Sequence, residues 1–381
     1  MNKIKFGLIG CGIVGFRHAE HINNLAELKA ICDIKPEVAQ KFGKKYACNY
    51  YTKLSNLLEN EEEIDIISIC TPNGFHALHS IMSLRAGKHV LCEKPMALSV
   101  RNCEKMIKEA EDANKRLFVV KQNRFNPPIM ALRELLKKNK LGRIFSVQLN
   151  CFWNRNEKYY KNSEWKGTKE LDGGTLFTQF SHFIDLLYWL VGDINKVQAF
   201  TKNFNHGNVI EFEDTGVVIV EFDEGAIGTI NYTVNSYNKN MEGSITLFCE
   251  NGTVKIGGQY LNELEYQNIK DYRITDLPVS ASANDYGYYQ GSMSNHDKVY
   301  ENVIDVLTNG ATISTNFMEG LKTVEIIEEI YKSARMNSEK DRSVEQIVSK
   351  NEINKNIRLN SEDLDTIDDS FKAYQTDNKN E

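Results

Sequence analysis

The run Gly10-Cys11-Gly12-Ile13-Val14-Gly15 follows a short β-branched segment, Ile4–Ile9, and leads into a stretch with Phe16, Ala19 and Ile22 on one helical face. Three spaced glycines between a strand and a helix constrain the fold more than any other feature of the chain. Gly10 permits a tight turn, Gly12 lets the backbone approach a pyrophosphate, and Gly15 lets the helix pack closely on the strand. The first helical amides, from Ile13 and Val14, then meet the anion. Asp33 ends the next strand, where a carboxylate accepts hydrogen bonds from the adenosine ribose hydroxyls and repels a 2′-phosphate. NAD is therefore favoured over NADP, although Lys35 keeps NADP open. Capping of the helix after Pro36 is a second role for Asp33, and Ile34 beside it joins the cofactor set.

From residue 3 to about residue 120, β-branched runs (Ile4–Ile9, Leu28–Cys32, Ile64–Cys70, His89–Cys92 and Leu117–Val120) alternate with amphipathic stretches. That rhythm predicts a parallel sheet flanked by helices. Thr71-Pro72-Asn73 follows the third run and lines the nicotinamide side of such a cleft, with His76 on the next helical turn as either a cofactor contact or a surface residue. His18, His21 and His79 read as structural. Asn126-Pro127-Pro128 marks a change of texture.

Beyond it come a helix at Ile129–Asn139, a strand at Arg143–Cys151, a polar aromatic loop and a helix at Gly173–Leu190. Strands then follow at Val217–Phe222, Ala226–Val234, Ser244–Cys249 and Thr253–Ile256, linked by turn signals such as Asp223-Glu224-Gly225. Helices at Asn295–Leu307 and Met318–Ala334 close the folded part. The fold class is α/β: an N-terminal Rossmann doubly wound parallel sheet with a C-terminal α+β domain on a mostly antiparallel open sheet. The predicted domains are 1–122 for the dinucleotide, 123–335 for substrate and oligomerisation, and 336–381 as a charged, flexible tail rich in amide side chains.

With 381 residues the chain is long enough for two domains, and a formal net charge of −6 with interspersed signs leaves no footprint for nucleic acid. The eight cysteines are scattered without CxxC spacing, which fits a reducing cytoplasm and suggests no metal site. The apolar start is broken by glycines and does not read as a signal peptide, and no run approaches the ~18 apolar residues of a membrane span.

Chemistry enters at His89-Val90-Leu91-Cys92-Glu93-Lys94-Pro95-Met96, where a strand delivers an ammonium to the carboxyl edge of the sheet. Oxidising an alcohol requires a base for the O–H proton while hydride leaves for nicotinamide. The expected second domain carries Asp172-Gly173-Gly174-Thr175-Leu176-Phe177-Thr178-Gln179-Phe180-Ser181-His182-Phe183-Ile184-Asp185. Together with the fingerprint, Cys70-Thr71-Pro72-Asn73 and Glu93-Lys94-Pro95, this segment resembles the Gfo/Idh/MocA family of sugar and inositol dehydrogenases, over residues 1 to about 335.

The resemblance implies that Lys94 and His182 face the reacting hydroxyl. Either can be the base; the preferred assignment is His182 as proton acceptor and Lys94 as orienter and electrostatic stabiliser. Asp185, one helical turn on, can hold the imidazole or a substrate hydroxyl. Many members place an aspartate four residues before the histidine, where this chain has Thr178, so the lysine–aspartate pair of inositol-type members is absent. Glu93, Lys94 and Gln122 are counted with the cofactor contacts.

Lys121-Gln122-Asn123-Arg124-Phe125-Asn126-Pro127, Asp214-Thr215-Gly216, the segment from Tyr159-Tyr160 to Gly167 and the run from Asn251 to Gly258 resemble members that act on nucleotide-linked sugars. These are the UDP-N-acetylglucosamine and UDP-N-acetylglucosaminuronate 3-dehydrogenases. The resemblance implies an NAD-dependent enzyme oxidising the C3 hydroxyl of a UDP-N-acetylhexosamine, with a dehydrogenase of free sugars or inositols, and a non-catalytic dinucleotide sensor, as rivals. A diphosphate needs cations, and Arg124, Arg155 and Lys166 are the candidates. Asn123, Tyr159, Trp165, Thr178, Lys94 and His182 complete the substrate set. Tyr286, Tyr288 and Tyr289 can stack on uracil or line a subunit contact, and Asn295-His296-Asp297 either reaches the site or caps a helix. Family resemblance makes the protein partner a second copy, in a homodimer or homotetramer.

Overall fold

The computed structural model describes residues 3–359 apart from 281, 288 and 315, with side chains described as far as 338. Tyr288 therefore lies outside the described residues. Strands β1 (Lys5–Ile9), β2 (Glu27–Cys32), β3 (Asn49–Tyr51), β4 (Ile66–Ile69), β5 (His89–Cys92) and β6 (Leu117–Val119) form a six-stranded sheet in the order β3-β2-β1-β4-β5-β6. Every neighbouring pair in it is parallel. Phe6, Leu8, Ile31, Ile66, Ile67, Val90, Leu91 and Phe118 are fully buried, as strands covered on both faces by helices require. The chain reverses its winding between β1 and β4, so the fingerprint after β1 and Thr71 after β4 meet at the switch point. The polar, largely exposed edge strand β3 carries no apolar run and was not legible in the sequence.

The second sheet contains β7 (Ile144–Phe152), β8 (Ile194–Lys202), β9 (Thr215–Phe222), β10 (Ile227–Thr233), β11 (Glu242–Cys249), β12 (Gly252–Gly257) and β13 (Glu263–Ile269). Its order is β13-β12-β11-β7-β10-β9-β8. Strands β7 and β10 run parallel and the other pairs antiparallel, so the sheet is mixed about its centre. Alternation sorts its faces. Val218, Val220 and Phe222 are buried, whereas Val217 and Ile219 are exposed. The helix Ser181–Val191 packs on β7 and buries Phe183, Leu186, Leu187 and Leu190.

One long helix expected from 173 to 190 is two, Thr175–Thr178 and Ser181–Val191. Gly173 and Gly174 lie at φ 90° and 141°, outside helical space. A Cβ on Gly174 would sit 2.3 Å from the Tyr331 hydroxyl, so only glycine fits this turn. The last helix, Phe317–Leu359, runs through the expected boundary at 335/336, and the remainder of the expected tail lies outside the described residues. Residues 1–331 form one compact unit that carries both sheets. Among the described residues, no helix is long and apolar enough to cross a membrane.

Candidate active site

At the fingerprint, Gly10 adopts φ 87° and a Cβ on it would lie 2.6 Å from the Cys70 carbonyl oxygen; on Gly15 it would lie 1.9 Å from the Gly10 carbonyl oxygen. A Cβ on Gly12 would meet nothing within 4 Å, leaving that backbone open to a ligand. A cavity of about 630 Å³ borders Cys11, Gly12 and Ile13. The loop is thus shaped to hold the pyrophosphate of NAD against the helix amides. Asp33 accepts hydrogen bonds from the backbone N–H of Cys11 at 2.8 Å and of Lys35 at 2.9 Å, so it ties the glycine turn to the end of β2. Ile34 beside it is 82 % exposed.

Two residues expected at the cofactor are engaged elsewhere. Asn73 Nδ2 donates to the Asp172 carbonyl at 2.9 Å and to Thr178 Oγ1 at 2.7 Å, joining the first sheet's loop to the second domain. His76 is buried, with its ring nitrogens 2.7 Å from the Pro95 carbonyl and 2.9 Å from the Thr71 carbonyl, and serves as a brace beneath the turn after Lys94. Burial keeps its pKa below the usual value. His79 bonds Thr71 Oγ1 at 3.0 Å.

Glu93 and Lys94 leave β5 in opposite directions. Glu93 is buried and faces His18 Nε2 at 2.8 Å and His296 Nε2 at 3.5 Å. Burial works to raise its pKa, but the two histidines outweigh it and hold the carboxyl well below the usual range. His18 also meets Tyr300 at 2.7 Å, so a buried polar cluster anchors the fingerprint helix to Glu93. His296 belongs to this cluster, and not to a solvated helix cap. Lys94 Nζ donates to the Thr178 carbonyl at 2.8 Å. Burial lowers its pKa, with Glu93 and Asp172 opposing and Arg155 assisting.

Lys94, His182 and Asp185 line one small cavity with Lys121, Ser181 and Thr323. The two residues assigned to the hydroxyl thus come from different domains to one place. Burial, and then the Lys94 charge, put the His182 pKa well below its usual value, so the ring is neutral. Its Nε2 lies 3.2 Å from Gln122 Nε2, which also donates to Ser292 Oγ at 3.1 Å. With the amide as donor, His182 Nε2 is the acceptor nitrogen.

The expectation that Asp185 holds this imidazole is corrected by the ion pairs around it. Its oxygens face Lys121 Nζ in a very short contact, Arg124 Nη2 at 2.7 Å and Arg124 Nε at 2.8 Å. Although burial works to raise it, Arg124 and Lys121 hold its pKa at about 2. Arg124, expected at a substrate diphosphate, is committed to this pair, to Glu319 at 2.5 Å and to the Trp189 face. Its Nε, Nη1 and Nη2 are each bonded to a carboxylate, so Asp185 and Glu319 already neutralise its charge in a dry interior. Asn123 is buried with both side-chain polar atoms unpartnered among the described residues.

The loop after β7 carries the remaining candidates. Arg155 is 2 % exposed and donates to Gln179 Oε1 at 2.8 Å, to the Asn154 carbonyl at 2.6 Å and to Asn240 Oδ1 at 3.2 Å. Among the described residues it has no carboxylate within ion-pair distance. Its guanidinium lies 5.2 Å from the Tyr159 ring centre and 5.1 Å from that of Tyr289. Lys166 Nζ stands 3.8 Å over Tyr159. Tyr289 stacks on Tyr286 at 4.7 Å, and Arg17 covers Tyr286 at 4.8 Å. Cations and rings therefore run from the fingerprint helix to Arg155 and Lys166. Trp165 is half-buried and bonds within its own loop, accepting at its carbonyl from Thr168 at 2.8 Å.

Sequence reasoning missed Gln179, Asn240 and Arg17, ordinary polar residues whose placement depends on strand order. It also gave Asp172 no role. That residue accepts from the Thr178 hydroxyl and from the Gly167 N–H, at 2.6 Å for the latter.

A glycine fingerprint at a sheet switch point, facing a buried lysine and a neutral histidine, defines an NAD-dependent oxidoreductase. The family model for an oxidoreductase family with an NAD-binding Rossmann fold matches residues 4–121, and that for a GFO/IDH/MocA C-terminal domain matches residues 129–255. The chain is 36 % identical to the WlbA dehydrogenase of Chromobacterium violaceum, solved with NADH and UDP-GlcNAcA, with a TM-score of 0.81 over 88 % of this chain and 95 % of that one. The WlbA dehydrogenase of Bordetella pertussis, solved with the same ligands, is also 36 % identical, with a TM-score of 0.80 over 88 % of this chain and 97 % of that one. The 2,7-anhydro-N-acetylneuraminate hydratase of Escherichia coli is 28 % identical over 274 residues, 67 % of this chain and 71 % of its own. The chain belongs to the Gfo/Idh/MocA oxidoreductase family.

Proposed function

We propose that this enzyme oxidises the C3 hydroxyl of a UDP-linked N-acetylhexosamine, UDP-GlcNAc or its uronate, to the 3-keto sugar. The observation that carries the substrate class is buried Arg155, without a carboxylate partner among the described residues, next to Lys166 and the Tyr159–Tyr289–Tyr286 rings. A buried guanidinium in that state awaits an anion, and aromatic faces beside it suit a base. The WlbA complexes with UDP-GlcNAcA support the same class.

NAD, when bound along the fingerprint, supplies the hydride acceptor. Lys94, anchored by one N–H on the Thr178 carbonyl, has its other ammonium protons for the sugar oxygen. The neutral His182 takes the hydroxyl proton on Nε2 once the substrate replaces the Gln122 contact. The O–H electron pair forms the carbonyl as hydride leaves C3. Burial of both groups excludes water and strengthens their electrostatic action on the oxygen.

Lys94→Ala should keep NAD affinity and lose turnover with UDP-GlcNAc or its uronate. Turnover of a free sugar or inositol, with no response to Arg155→Ala or Lys166→Ala, would replace the nucleotide-sugar reading. We further infer a homodimer or homotetramer formed through the outer face of the second sheet, where Phe200, Val217, Ile219 and Ile227 are exposed together. Eight free cysteines support a reducing, cytoplasmic setting. The gap between the two family models supports the domain boundary at 122/123.

A further inference from the structure

Thr178 stands where many family members have an aspartate, yet a carboxylate reaches the same place from six positions earlier in the chain. Asp172 is 1 % exposed at the head of the Gly173-Gly174 turn. One of its oxygens takes the Thr178 hydroxyl proton in a very short hydrogen bond, and the other accepts the Gly167 N–H at 2.6 Å. The Thr178 carbonyl in turn holds Lys94 Nζ at 2.8 Å. Asn73 clamps this unit from the first domain, donating to both Thr178 Oγ1 and the Asp172 carbonyl. A serine, threonine or asparagine at position 172 would leave this buried cluster without its charge.

We propose that Asp172 is a positioning residue for Lys94, holding the ammonium at the reacting hydroxyl through Thr178 and tying that position, through Gly167, to the loop that carries Lys166. The inference rests on Lys94 acting at the substrate hydroxyl, as proposed above. It gives the departure at Thr178 a physical meaning. The carboxylate is supplied by the turn, and the threonine relays its position.

The charges around the pair set the direction of its pH response. Lys94 is faced by Glu93 from its own strand, Asp172 from the turn, Arg155 from the loop after β7 and His182 from the second-domain helix. Asp172 is faced by Lys94, Lys166, Tyr159 and Tyr160. Burial pushes the Asp172 carboxyl up to about 6, so it is ionised above neutrality, where it favours the protonated lysine. Removing that charge lets Lys94 lose its proton at lower pH.

Asp172→Asn keeps an acceptor for Gly167 and removes the charge. The expected result is a fall in kcat of roughly tenfold with unchanged NAD affinity, and an alkaline limb of kcat/KM displaced downward by on the order of one pH unit. Thr178→Val, which deletes only the relaying hydroxyl, should act in the same direction and less strongly, and serves if Asp172→Asn folds poorly. Thr178→Asp placed on Asp172→Asn should restore most of the lost rate and return the limb toward its original position. Wild-type kcat and an unmoved alkaline limb in both single variants, with Lys94→Ala inactive, would overturn the role of Asp172 alone. An active Lys94→Ala enzyme would instead overturn the function on which it rests.

Discussion

A neutral histidine and a charged lysine can share a dry cavity because burial and the charges around them set each protonation state. The Lys94 charge adds to burial in keeping His182 unprotonated, and Glu93 and Asp172 help Lys94 stay protonated. A histidine with a lowered pKa is neutral at all pH values above it, so the His182 ring is unprotonated throughout the physiological range. Two outcomes follow at this scale. His182→Asn should lower kcat by about 10²–10⁴-fold while leaving NAD affinity unchanged, measured by steady-state kinetics and cofactor titration. The acid limb of the wild-type kcat/KM profile should fall at about 6, where Asp172 is protonated, and vanish in Asp172→Asn, with no second limb from His182. Lys94 and His182 were both legible in sequence, because the strand end before a proline and the motif around His182 locate them. Asp185 was misread, since helical spacing brings it to the right face but Arg124 and Lys121 arrive from a different segment.

Between elements, buried charge sets how the site is held. The Lys121–Asp185–Arg124 cluster pins the helix Ser181–Val191 to the segment after β6. Asp185→Ala leaves Lys121 buried without its carboxylate and Arg124 with Glu319 alone, and should destabilise the fold by about 3–5 kcal/mol, read as a shift in the denaturant midpoint. Loss of activity without that shift would return Asp185 to a catalytic role. Glu213 is a second such junction. Its carboxylate accepts from Tyr331 at 2.7 Å and Tyr232 at 3.2 Å, joining the last helix to the second sheet beside the Gly174 turn. Burial pushes its carboxyl up to about 7. An acid with a raised folded pKa binds more protons folded than unfolded between about 4.3 and that value, so its contribution to stability falls as pH rises through this window. Glu213→Gln mimics the protonated form. Its thermal midpoint should gain on wild type from pH 5 to pH 8, and equal midpoints at both would refute the assignment.

Across the whole molecule, the second sheet buries one face under helices and shows the other. Exposed Phe200, Val217, Ile219 and Ile227 lie on that outer face of β8, β9 and β10, with Phe200 directly opposite Val217. Ile219→Glu places a charge on this face, and should reduce the proposed homo-oligomer to a smaller species in sedimentation velocity while leaving the far-UV signal intact. An unchanged sedimentation coefficient would move the subunit contact elsewhere. Whether catalysis survives dissociation then tells whether each subunit's site is complete.

Sequence alone determined the elements whose signals are local. The fingerprint turn needs glycine for steric reasons, buried parallel strands need continuous apolar runs, and Glu93-Lys94-Pro95 sits at a strand end. The mixed centre of the second sheet, the broken helix before His182 and the edge strand β3 were not legible, because pairing direction and edge position depend on residues far away in the chain. Tertiary structure likewise decided which arginine is ion-paired. Arg124 and Arg155 look alike as loop arginines, and only the fold brings carboxylates to the first and the Tyr159 and Tyr289 rings to the second. The same reasoning holds for Lys94 and its carboxylate: a threonine at 178 reads as a loss until the Gly173-Gly174 turn is seen to fold Asp172 back onto it.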